Sequence, residues 1–220
     1  SAVGISPCPM ENWNIDCLLT GSQKGMMLPP GLALISLSTQ AWKKNETVQT
    51  GNYYFDLQKE LEKNKLGQTA YTTAVNLIFG LKAALDLFFQ SGLEHIYTKH
   101  WALTQMTRSG AQALGLQPLV REHYTWGLTS IELPRDVDGQ KLVSRIAENY
   151  NIVIAGGQNQ LKGKIVRIGH MGDIDWSDIL AGLYALESSL QEIGASNKAE
   201  PNYLEKAMSA YEQALREPVL

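Results

Sequence analysis

The chain has 220 residues, 44% of them hydrophobic and 19% charged, and carries a net charge of −3. That is enough apolar side chain for a packed core, and the slight acidity argues against nucleic acid or an anionic membrane as the main partner. The longest apolar runs are too short to span a bilayer, and the opening SAVGISPCPM lacks the charged and long apolar regions of a signal peptide.

In chain order, Asp16–Thr20 (DCLLT) reads as a short buried strand that enters a polar turn of Gly21, Ser22 and Gln23. Lys24 follows, then an apolar, proline-stiffened segment, Met26, Met27, Leu28, Pro29 and Pro30, and a second strand over Leu32–Ser38. A lysine turn between two sheet strands is held rigidly, as a reacting group requires. An ammonium held against apolar surface loses hydration, and the neutral amine is the nucleophile that forms a Schiff base with a carbonyl compound. Spacing alone nevertheless favours a solvated loop lysine. The two cysteines, Cys8 and Cys17, form neither a disulfide framework nor a metal cluster and read as reduced thiols of a cytoplasmic protein.

Thr39–Lys44 starts a short helix, Asn45–Tyr53 is a loop, and Phe55–Lys65 is periodic up to Gly67. Ala74–Gln90 is the clearest helix, with Val75, Leu77, Ile78, Leu81, Ala84, Leu85 and Phe88 on its apolar side. Gly92 breaks it, and Leu93–Leu114 forms a second long helix ending at Gly115. His95 and His100 fall on different sides of that helix, so they read as solvated histidines and no metal site is expected. Beyond it come strands at Leu119–Glu122 and Leu128–Leu133, a helix at Val137–Tyr150, and strands at Ile152–Ala155 and Lys164–Ile168. An amphipathic helix over Trp176–Ile193, a linker over Asn197–Pro201 and a last helix over Asn202–Arg216 complete the chain. A domain boundary near residue 92 gives parts of 1–91 and 92–220.

Two further places carry chemistry. Thr69, Thr72 and Thr73 open the helix that starts at Ala74, and hydroxyls with free N–H groups at a helix N-terminus suit a phosphate; Thr72 or Thr73 could equally serve as the helix cap. Strand alternation sets Ile165 and Arg167 on one face and Val166 and Ile168 on the other. An arginine there wants a planar anion and a carboxylate fits its fork, a structural ion pair being one such use.

The segment GSQKGMMLPPGLALISLS, together with YYFDL, YTTAVNLIFGL and AGGQNQLKGKIVRIGHMG, resembles class V aminotransferases, the pyridoxal-phosphate enzymes that include alanine–glyoxylate and serine–pyruvate aminotransferases. The likeness covers nearly the whole chain and is strongest to the cyanobacterial-type proteins labelled soluble hydrogenase small subunits, although the chain lacks the cysteines of a metal cluster. The resemblance implies an α/β fold: the C-terminal part of a fold-type I pyridoxal-phosphate transferase, with a partial large-domain sheet, a helical spine and a small α+β C-terminal domain. It implies Lys24 as the Schiff-base lysine, Gln23 near the cofactor ring and phosphate, and Arg167 as the clamp for the substrate α-carboxylate. Thr69 and Thr72 would reach the cofactor phosphate of the partner subunit in a homodimer. Gln23 is otherwise a turn residue that satisfies local backbone groups.

The expected activity is transfer of an amino group from alanine or serine to glyoxylate or pyruvate. A cysteine desulfurase of the same fold needs a nucleophilic cysteine after the lysine, and no cysteine follows Cys17. A non-catalytic subunit or a stable fragment is the reading from another class. Family members carry a longer chain, so the aspartate for the pyridine nitrogen, the stacking aromatic residue and the phosphate loop are expected upstream of Ser1. The chain is then expected to be a C-terminal piece that is inactive alone, with a separate N-terminal fragment as a conceivable partner.

Overall fold

A computed structural model of the chain describes residues 1–48 and 51–217. In it, β1 (Cys17–Gly21) and β2 (Ala33–Leu37) pair antiparallel, with Cys17 opposite Leu37 and Gly21 opposite Ala33. Ser38 ends β2 and caps α1 (Thr39–Thr47), its hydroxyl accepting the Ala41 N–H at 3.1 Å. The helix therefore takes the first residues expected to be loop, and residues 49–50 of that loop lie outside the described residues. Asp56 caps α2 (Leu57–Lys65) by accepting from the Gln58 and Lys59 N–H groups. α3 spans Val75–Ser91. The chain divides into two units, Pro7–Leu87 with Ser1, and Phe88–Leu220 with Ala2–Ser6.

In the first unit, α3 turns Leu77, Leu81, Ala84 and Leu85 inward at helical spacing, while Val75 and Ile78, expected on the same side, are exposed. The turn before β2 packs on this helix: a Cβ on Gly80 would lie 3.1 Å from a Leu28 methyl, and one on Gly31 would lie 2.5 Å from a Leu77 methyl. β1 departs from its expected burial. Only Thr20 is buried and Leu19 is 66% exposed, because a strand with one ladder neighbour in a two-stranded sheet has little to cover its faces.

The second unit is built on α4 (Leu93–Ala113) and a four-stranded antiparallel sheet in the order β3 (Gln117–Pro118), β4 (Leu128–Glu132), β6 (Ile165–Gly169), β5 (Ala155–Gly156). α5 (Gly139–Tyr150), α6 (Trp176–Glu192) and α7 (Tyr203–Arg216) pack with them around a core that includes Leu103, Met106, Ile131, Ile146, Val166, Leu183 and Leu186. α4, α6 and α7 meet at Gly110, where a Cβ would lie 2.3 Å from a Leu183 methyl and 3.2 Å from the Ala207 Cβ. Asp138 caps α5, and a capping box of Asp175 and Asp178 starts α6.

Two expected strands are displaced. Pairing at Leu119–Glu122 shifts back to Gln117–Pro118, because the Arg108 side chain takes the Val120 and Arg121 carbonyls at 2.9 and 3.2 Å. The strand expected over Ile152–Ala155 contributes only Ala155 to the ladder, opposite Arg167. No helix among the described residues is long and apolar enough to cross a membrane.

Candidate active site

The β1–β2 connection presents Lys24. Gly25, Met26 and Leu28 are buried, whereas Lys24 and Gln23 are exposed. The apolar surface expected to desolvate the lysine is therefore present beneath the turn, but within this chain the ammonium stands outside it. Among the described residues, Lys24 has no hydrogen bond and no ion pair. The carboxamide of Gln23 folds back over Gly21, where a Cβ would lie 2.5 Å from Gln23 Oε1. Met27 adopts φ +61°, a conformation uncommon for a side-chain-bearing residue and concentrated at functional turns.

Ser22 holds this turn together, a role that sequence reading missed. Its N–H donates to the Leu32 carbonyl at 3.0 Å, and its own carbonyl accepts from the Leu28 N–H at 3.1 Å. Its hydroxyl donates to the Pro29 carbonyl at 2.7 Å and accepts from the Leu32 N–H at 3.2 Å. The side chain is fully buried, at 0% exposure.

Thr69 and Thr72 precede α3 on the same unit, and both are exposed. The Thr69 hydroxyl donates to the Tyr71 carbonyl at 2.6 Å. Tyr71 is anchored in turn: its hydroxyl donates to the Tyr53 carbonyl and accepts from Lys59 Nζ, whose ammonium sits 4.5 Å from the Tyr71 ring centroid. Among the described residues neither Thr72 nor Thr73 caps α3 through its hydroxyl, and the Thr72 hydroxyl has no partner.

Arg167 belongs to the second unit. It lies mid-β6, between Ser130 of β4 and Ala155 of β5, and is half-buried. Its Nε donates to the Gly156 carbonyl at 2.8 Å. Among the described residues no carboxylate lies within ion-pair distance, so the structural ion pair left open by the sequence is not made. The terminal nitrogens of its fork stay available for an anion. Gly157 beside it is required by a close approach, because a Cβ there would meet the Leu161 carbonyl oxygen at 2.0 Å.

Two buried histidines frame the segment after β6. His170 is at 0% exposure; Nδ1 lies 3.0 Å from the Trp126 carbonyl and Nε2 lies 2.9 Å from the Thr129 hydroxyl. A carbonyl can only accept, so Nδ1 carries the proton and Nε2 accepts from Thr129. Burial pushes the His170 pKa down to about 4. His100, expected to be solvated, is 3% exposed, with Nδ1 bonded to the Ile96 carbonyl and Nε2 accepting the Gly172 N–H; burial lowers its pKa too. A signal for this existed: His100, Thr104, Thr107 and Ala111 follow at helical spacing on the buried side of α4.

A family model described as aminotransferase class-V matches residues 1–172. The chain belongs to the class-V aminotransferase family. The class-V match includes Gln23, Lys24, Thr69, Thr72 and Arg167, the first four on one unit and Arg167 on the other. The chain is similar to the soluble hydrogenase small subunit of a Synechococcus species, 38% identical over 197 residues that cover 90% of this chain and 51% of that relative. Serine–glyoxylate aminotransferase of Methylorubrum extorquens is 34% identical over 218 residues, covering 96% of this chain and 54% of its own. The solved structure of ureidoglycine–glyoxylate aminotransferase from Bacillus subtilis superposes with a TM-score of 0.85 at 27% identity, over 96% of this chain and 55% of that one. The chain spans about half the length of the relatives it matches. Its α/β fold is that of part of a fold-type I class-V aminotransferase.

Proposed function

We propose that this chain is the lysine-bearing part of a pyridoxal-phosphate-dependent aminotransferase that moves the amino group of alanine or serine to glyoxylate or pyruvate. The observation that carries the reading is Lys24, an amine without a partner on a turn tied at both ends to β1 and β2. The donor set fits the cofactor: an amine for its aldehyde, and exposed hydroxyls at Thr69 and Thr72 for its phosphate. Pyridoxal phosphate, when bound, supplies the electron sink for the reaction. The Lys24 amine takes the α-proton of the amino acid at Nζ and returns it as general acid. Gln23 donates from its amide beside the cofactor, and Arg167 holds the substrate carboxylate with two parallel N–H donors. A single arginine clamp suits an amino donor with a small neutral side chain.

The assignment divides the chain into the lysine-bearing part of a large domain, residues 1–91, and a spine helix with a small domain, residues 92–220. It also makes the enzyme a cytoplasmic homodimer in which Thr69 and Thr72 serve the partner's cofactor. The chain alone does not sustain turnover: it spans half of its relatives and leaves Leu19, Ile35 and Phe79 exposed. Purified alone it is expected to convert neither alanine nor serine with glyoxylate, while the complete assembly converts at least one. Turnover by the chain with no other polypeptide contradicts this dependence. An assembly that uses neither donor contradicts the substrate choice, and one without any transamination favours a non-catalytic subunit.

A further inference from the structure

The lysine turn contains a buried hydrogen-bond exchange centred on Ser22. Gly21 pairs with Ala33, so Ser22 stands opposite Leu32 one step further along the same register. In a regular antiparallel pair two such residues exchange both N–H···O bonds. Here only one is regular: the Ser22 N–H donates to the Leu32 carbonyl at 3.0 Å. The returning bond, from the Leu32 N–H, goes to the Ser22 hydroxyl at 3.2 Å instead of the Ser22 carbonyl. The carbonyl released in this way accepts the Leu28 N–H at 3.1 Å, inside the turn. The same hydroxyl donates onward to the Pro29 carbonyl at 2.7 Å. One oxygen thus uses its donor and an acceptor site to tie both limbs of the loop that carries Lys24, with no exposure to solvent.

We propose that Ser22 is a positioning residue for Lys24, setting the direction in which the amine leaves the turn; this rests on the reading of Lys24 as the cofactor lysine. Alanine at this site removes the hydroxyl from beneath Leu32 and Pro29. The Leu32 N–H then competes for the Ser22 carbonyl, releasing Leu28. The turn relaxes toward a plain hairpin end, and Lys24 loses its fixed base.

The test uses the complete assembly that contains this chain, with Ser22 or with Ser22→Ala, each incubated with pyridoxal phosphate at sub-saturating concentration, reduced with borohydride and mapped by peptide mass. On the folded fraction, Ser22→Ala is expected to label Lys24 about tenfold less. Label on the other lysines stays unchanged. Amide exchange at Leu28 and Leu32 is expected to quicken at least tenfold, with α6 unaffected. Equal Lys24 labelling in both proteins overturns the Ser22 role while leaving the Lys24 reading in place. No Lys24 label in the unsubstituted chain overturns the Lys24 reading, and this inference with it. Should Ser22→Ala not fold, exchange in the unsubstituted chain decides: Leu28 and Leu32 amides protected like β1 support the tie, and amides exchanging like an open loop overturn it.

Discussion

Arg167 and His170 stand three residues apart and meet opposite demands. Arg167 makes one side-chain bond, to the Gly156 carbonyl, and among the described residues the rest of its fork has no partner. Lysine would keep the charge and lose the planar fork. In the assembled enzyme Arg167→Lys is therefore expected to raise the KM for the amino donor roughly 10- to 100-fold, the scale of one charge-assisted hydrogen bond. An unchanged KM would remove Arg167 from the carboxylate site. His170 is spent on structure. Its pKa in the folded chain lies at about 4, below the ordinary 6.5, so the unfolded chain binds the proton more readily. Stability is then complete above pH 6.5, is lost as pH falls from 6.5 to 4, and levels off below; the full loss is on the order of 3 kcal/mol. His100, lowered in the same direction, adds to the loss. Urea midpoints measured across this window should fall as the solution is acidified, and less so in His170→Gln. A flat profile between pH 6.5 and 4.5 would contradict the buried neutral pair.

Among the elements, those with strong local patterns were legible in the sequence. α6 follows from an apolar stripe and an aspartate cap at Asp175, and α4 from its long period ending at Gly115. The misread places have distant causes. The strand expected at Leu119–Glu122 loses its Val120 and Arg121 carbonyls to Arg108, on a helix that no local pattern connects to it. His100 looked solvated because its partner, the Gly172 N–H, lies far along the chain. β1 looked buried because an apolar run reports what a strand can bury, not what covers it. In the candidate site, the lysine and threonine positions could be proposed from sequence. The work of the Ser22 hydroxyl could not, since a turn serine and a ladder-bridging serine read alike. Packing makes its own prediction: Leu183 is completely buried where α4, α6 and α7 meet, so Leu183→Ala should cost about 2–5 kcal/mol in chemical unfolding. A loss below about 1 kcal/mol would contradict the tight packing at this junction.

At the scale of the whole molecule, the chain is a class-V aminotransferase family member that spans about half of its relatives. One unit carries the lysine turn and the threonine segment, and the other carries the arginine strand. The proposed chemistry draws on both. Its centre is the claim that Lys24, and no other lysine of this chain, is built to hold pyridoxal phosphate. Borohydride reduction of the complete assembly with pyridoxal phosphate, followed by peptide mass mapping, tests that claim most directly. The account predicts a reduced cofactor adduct concentrated on the peptide containing Lys24 and lost in Lys24→Ala. Label spread evenly over the exposed lysines, with Lys24 no more modified than the rest, would contradict it.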